Sequence, residues 1–200
     1  MDERMNEQQN TQPSNKTDKA RLRRLWDNYG YLVITAVVVV VLFRGILALA
    51  YVPTGSMEPT LPTRSMFLGV RLPYLAGDPV PERGDIVMFY NGELDEVLVK
   101  RVIGLPGETV RFDGGHVLID GVVLEEPYLT AGLATYPVEE GAVYSVPEGH
   151  IFLLGDNRGS SLDSRWWGDP YISLSDIQAR ALVSISLLPG NTWLGIRTLG

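Results

Sequence analysis

The sequence predicts a mostly β fold: an antiparallel β-sheet body with long loops, preceded by one N-terminal transmembrane helix. Three observations predict it. Tyr31 to Phe43 is apolar apart from Thr35, and after Arg44 the chain is apolar again from Gly45 to Val52. From residue 64 on, short apolar or alternating runs recur between turn signals. Between residues 53 and 200 no run is both long and convincingly helical, one turn near Ser173–Ile177 excepted.

Residues 1–18 are polar, with almost nothing to bury, and read as disordered. With the basic cluster Lys16, Lys19, Arg21, Arg23 and Arg24 they make a disordered basic tail over 1–28. Residues 29–52 read as the anchor, since a bilayer takes about 20 apolar residues. The basic flank puts the N-terminus in the cytoplasm and the body outside, with the lipid bilayer as a partner. Trp26, Tyr29 and Tyr31 stand where an interfacial aromatic belt lies, and Tyr51 stands near the other boundary. Arg44 allows a second reading, in which Tyr31–Phe43 is the hydrophobic core of a cleaved signal peptide. The apolar continuation after Arg44, without a polar cleavage region, favours an uncleaved anchor near whose end the arginine snorkels.

Residues 53–200 read as the β body. Its strands are expected at Ser65–Val70, Asp85–Tyr90, Glu96–Ile103, Thr109–Phe112, His116–Ile119, Val122–Leu124, Ala142–Val146, His150–Leu154 and Gln178–Leu187. Asp113-Gly114-Gly115 and Asp120-Gly121 mark hairpin turns. Glu125 to Glu140 reads as a loop excursion outside the core. Leu187-Leu188-Pro189 and Trp193-Leu194, with Trp166 and Trp167, are candidates for a face that dips into the membrane interface; core packing is the other reading.

Charge divides the chain sharply. Residues 1–50 carry seven Lys/Arg against five Asp/Glu, while residues 51–200 carry ten against nineteen. An acidic body excludes nucleic acid as the partner. There is no cysteine, hence no disulfide and no thiol chemistry. The two histidines, His116 and His150, are too few and too far apart in sequence for a metal site and read as structural.

One residue stands out in the body. After Lys19 the next lysine is Lys100, and no other follows; every other basic residue beyond position 50 is arginine. Lys100 sits in the apolar run Val97-Leu98-Val99-Lys100-Arg101-Val102-Ile103. A desolvated lysine loses its proton readily, whereas arginine does not. Upstream, Pro53-Thr54-Gly55-Ser56-Met57-Glu58-Pro59 presents a serine in a Gly- and Pro-bounded turn. A presented serine and a lone buried lysine are the parts of a Ser-Lys nucleophile pair. The backbone N–H of Ser56 is the obvious donor to a tetrahedral oxyanion.

Three segments extend this reading: Pro53–Leu61, Val99–Glu108 and Gly155–Arg165, the last reading GDNRGSSLDSR. In this order, behind one anchor, they resemble bacterial type I signal peptidase, a membrane-bound Ser-Lys endopeptidase that removes signal peptides from exported preproteins. The resemblance implies Ser56 as nucleophile and Lys100 as general base, acting through an acyl-enzyme without metal or cofactor. It implies Thr54, in the place of a family serine, as a second oxyanion donor, and Ser161 as the hydroxyl that hydrogen-bonds the lysine amine. Asp163 and Arg165 match a charge pair beneath the site, and Asp156 and Arg158 match the same supporting loop. Val52 and Val99 are candidates for lining the pockets for small substrate residues, or equally for the core. The fold also resembles self-cleaving repressor proteases, but the tail here is too short for a DNA-binding domain. An inactive, peptide-binding relative is the third reading, and the joint presence of Ser56, Lys100 and Ser161 speaks against it.

Overall fold

The structure, a computed structural model, describes residues 15–75, 80–187 and 194–199. Residues 1–14 of the expected tail, and Leu188, Pro189 and Trp193 of the expected interfacial face, lie outside these. The chain separates into two compact units, Met1–Val41 and Leu42–Gly200.

Among the described residues, the first unit contains one helix, α1 (Asn15–Val41). The helix takes in residues 15–28, where the sequence reading expects disorder. Lys19, Ala20, Leu22, Leu25 and the intervening arginines are strong helix formers, so the apolar helix extends through them without a break. The stretch Arg21–Ile46 is long and apolar enough to cross a membrane. Its apolar side chains from Tyr31 to Val41 face outward rather than into a core.

The second unit opens with a π-helical turn at Leu42–Ile46, which carries Arg44. It then enters strand β1 (Leu47–Tyr51), paired antiparallel with β2 (Met66–Val70). This corrects the expected anchor over 29–52, whose last residues are strand rather than helix. An apolar run of five has no period of its own, and here the partner strand decides its form.

Behind β2 come a short helix, α2 (Leu72–Leu75), and β3 (Ile86–Asn91), β4 (Glu96–Gly104), β5 (Thr109–Asp113), β6 (His116–Ile119) and β7 (Val122–Val123). There follow β8 (Val143–Ser145), β9 (His150–Leu154), β10 (Tyr171–Ser173), β11 (Ile177–Leu187) and β12 (Leu194–Thr198). A one-turn 3-10 helix at Leu174–Asp176 stands where a turn is expected. The nine strands read from the sequence are all present, with small shifts at their ends; β1, β10 and β12 are additional. The mostly antiparallel fold is as the sequence reading has it.

The main sheet runs β1-β2-β11-β3-β4-β9-β10, with β12 also on β11; the smaller one runs β7-β6-β5-β8. Strand β11 is long because it serves three partners. Arg180 pairs with Val70 of β2 on one edge and Val87 of β3 on the other; beyond it, β12 takes over from β3. Strand β4 pairs with β3 from Glu96 to Arg101 but with β9 only from Arg101 to Gly104. Among the described residues, the second edge of Glu96–Lys100 has no strand partner.

Three apolar clusters hold the unit together. One joins Val52, Met57, Leu61, Phe67 and Ile86, with Val99 packed against it. A second joins Val87, Phe89, Val102, Leu153 and Trp167, and a third joins Phe152 and Leu154 to the small sheet. Trp167 meets Phe89 edge to face at 5.9 Å between centroids and is buried, so it belongs to the core and not to an interfacial face. Trp166 beside it is exposed.

Candidate active site

The Pro53–Leu61 segment leaves β1 as a compact turn. Glu58 N–H donates to the Gly55 carbonyl at 3.2 Å, and Leu61 N–H donates to the Met57 carbonyl at 2.9 Å. Met57 and Leu61 plunge into the first cluster and anchor the turn. The Glu58 carboxylate accepts from the Thr63 hydroxyl at 2.6 Å and from its N–H at 3.1 Å, which holds its pKa below the usual carboxylate value. Ser56, between these fixed points, is half-buried, and its N–H meets no acceptor among the described residues.

Lys100 lies in the middle of β4, opposite Val87 of β3. Its amine donates to the Ser56 hydroxyl oxygen at 2.7 Å, and the residue is 3% exposed. Burial is the main cause that brings its pKa down from 10.5 to about 8; the negative charges of Asp163 and Asp156 oppose that, and Arg165 favours it.

The third segment leaves β9 and wraps around the turn of Ser56. Asn157 holds that turn twice: its N–H donates to the Ser56 carbonyl at 3.1 Å and its side-chain amide to the Gly55 carbonyl at 3.0 Å. Asp163 and Arg165 form a bidentate pair at 2.8 and 2.9 Å, and Asp163 also accepts from Gly155 N–H at 3.1 Å. Ser161 is buried beside them, but among the described residues its hydroxyl has no partner, so the expected bond to the Lys100 amine is absent. The hydroxyl instead fills the space that Gly155 leaves by having no side chain.

Asp156 and Arg158 lie on one loop but do not pair as partners. Asp156 is gripped at both oxygens by Arg101, at 2.8 and 2.6 Å, and accepts from the Thr60 hydroxyl at 2.5 Å. Arg158 binds Glu126 at 3.0 and 2.5 Å, the Thr135 hydroxyl at 2.5 Å and the Gly155 carbonyl at 3.0 Å. Thr54 is exposed, and among the described residues nothing holds its hydroxyl. Val52 is buried in the first cluster and Val99 is half-buried against it.

Sequence reasoning missed Arg101, Thr60, Asn157, Glu126 and Tyr128. Arg101 carried a signal: an arginine next to the lysine in an apolar run needs a buried anion. Asn157 stood inside the third segment without a role. Nothing in the loop excursion marked Glu126 or Tyr128.

The site thus contains a serine, a buried amine on its oxygen, an unengaged N–H at the serine, and two neutralised carboxylates. Comparison with known proteins points the same way. The family model "Signal peptidase, peptidase S26" matches residues 26–186. A probable signal peptidase I-2 of Synechocystis sp. is 34% identical over 171 residues, covering 82% of this chain and 75% of its own. A signal peptidase I of Bacillus amyloliquefaciens is 42% identical over 142 residues, covering 66% and 74%. A solved signal peptidase I from Enterococcus faecalis V583 is 31% identical, with a TM-score of 0.43, covering 51% of this chain and 97% of that one.

Proposed function

The chain belongs to the peptidase S26 family of signal peptidases, serine endopeptidases that remove signal peptides, and from that premise we propose that Ser56 is its nucleophile and Lys100 its general base. The observation that carries the proposal is the 2.7 Å approach of a buried amine to the serine oxygen. A serine hydroxyl is a poor nucleophile until a base within hydrogen-bond reach takes its proton. A neutral Lys100 takes it as Ser56 attacks the scissile carbonyl. The resulting ammonium gives the proton to the leaving amine, and the acyl-enzyme forms. Water, deprotonated by the same amine, then releases the acyl group and restores Ser56.

The Ser56 N–H supplies one donor to the tetrahedral oxyanion, and the exposed Thr54 hydroxyl is free to rotate in as the second. The unpaired edge of Glu96–Lys100 suits a preprotein segment bound as an added strand. Val99, half-buried on that strand, and Val52 behind it favour small apolar side chains next to the cut. Asp163, Arg165, Asp156 and Arg158 shape the loop and do no chemistry. The helix anchors the protein in the cell membrane with the basic N-terminus in the cytoplasm and the body outside; protease added to intact cells will then digest the body and spare the tail.

The test is cleavage of a preprotein by the purified chain, with the cut sequenced. Ser56→Ala and Lys100→Arg each abolish cleavage while the fold stays intact. An active Lys100→Arg protein would sink the mechanism, because a guanidinium does not serve as base.

A further inference from the structure

The excursion Glu125–Glu140 touches every buried arginine of the site. The Tyr128 ring lies over the Arg101 guanidinium at 3.8 Å. Glu126 and Thr135 bind Arg158, and the Tyr136 carbonyl accepts from Arg165 at 3.1 Å. The Tyr128 hydroxyl donates to Glu126 at 2.6 Å, which fixes the ring in place.

These arginines matter to the base. The groups that face Lys100 are the Ser56 hydroxyl, Asp163, Asp156 and Arg165. Both carboxylates favour the ammonium form, which is inert as a base. Arg165 neutralises Asp163, and Arg101 neutralises Asp156, each with two hydrogen bonds. The third guanidinium nitrogen of Arg101 donates to the Gly84 carbonyl at 2.6 Å, and the Tyr128 ring covers the guanidinium face. A cation over an aromatic face is attracted to it, and more strongly when shielded from water.

We propose that Tyr128 is a positioning residue for the cleavage reaction: its ring clamps Arg101 onto Asp156, and so favours the neutral form of the base at position 100. The inference rests on the Ser-Lys reading. Without the ring, Arg101 loosens, the Asp156 charge is less compensated and water enters; both changes favour the ammonium.

The experiment is the pH profile of kcat/KM for preprotein cleavage by the full chain in detergent micelles. Wild type should show an acid limb near pH 8. Tyr128→Met, which fills space without an aromatic face, should move that limb upward by about half to one unit. That reads as a roughly three- to tenfold lower kcat/KM at pH 7, closing at alkaline pH. Tyr128→Phe, which keeps the face, should hold the limb at the wild-type position. A Tyr128→Met protein that is slower by one factor at every pH, with its limb unmoved, overturns the proposal. If that variant does not fold, Tyr128→Leu provides the same readout. A wild-type profile with no acid limb would overturn the Ser-Lys reading itself, and the inference with it.

Discussion

Gly155 and Ser161 are packed so tightly that a methyl group on Gly155 would overlap the Ser161 side chain. The same methyl would lie 2.5 Å from the Ser56 carbonyl oxygen. Gly155→Ala is therefore expected to push the loop off the Ser56 turn and to remove most cleavage activity. Overpacking of this kind costs about 1–3 kcal/mol, read as a lower Tm. Trimming the neighbour with Ser161→Ala in the same chain should not restore activity, because the Ser56 carbonyl is still in the way. Recovery in the double variant would show that the Ser56 contact is harmless.

The buried amine gives a stability profile with a definite sign. Lys100 titrates at about 8 when folded and at the ordinary 10.5 when unfolded. Below about pH 8 it is charged in both states, and the folded state bears the cost of a desolvated ammonium. Between the two values the unfolded chain alone holds the proton, so this group's contribution to stability rises with pH across that window. Lys100→Met should remove that rise and should raise Tm at pH 7, by up to about 3 kcal/mol in stability, while abolishing cleavage. A Tm at pH 7 below that of wild type would count against the desolvation account.

Arg101 and Asp156 are both almost fully buried, with side chains 5% and 0% exposed. Breaking such a pair from one side leaves an uncompensated charge and costs about 3–5 kcal/mol. Asp156→Asn and Arg101→Met should each lower Tm sharply in thermal unfolding. The double variant should be milder than the two effects summed. Additive losses would mean that the pair does not act as a unit.

Asn157→Ala removes the amide that holds Gly55 and leaves the backbone bond to Ser56. The expected result is a drop in kcat of about tenfold with little change in KM, since the turn stays but loses its aim. Steady-state kinetics decide this; a rise in KM alone would assign Asn157 to substrate binding instead.

Much of this was legible in the sequence. The strands were readable because most are bounded by Gly, Pro or Asp-Gly and alternate over four to nine residues, as Thr109–Asp113 and His116–Ile119 do. Ser56 and Lys100 were readable because each breaks a local pattern: a serine in a rigid turn, a lysine in an apolar run. Other features depended on what lies across the fold. Leu47–Tyr51 has the composition of a membrane helix and becomes a strand only because β2 runs beside it. Asp156 and Arg158 are two positions apart, yet their partners, Arg101 and Glu126, are 55 and 32 residues away. Partner choice among buried charges is set by topology, and local spacing does not carry it.

The bond between Asn157 and Gly55 spans 102 positions of chain. Contacts at that separation close late, after local hairpins have formed, because loop closure must come first. The serine and its lysine are both made well before Asn157 and Asp156 leave the ribosome. A nascent or clipped chain that ends before residue 156 therefore has Ser56 and Lys100 but not the loop that holds the Ser56 turn. On the Ser-Lys reading, the pair gains its support only once the chain through residue 157 has been made.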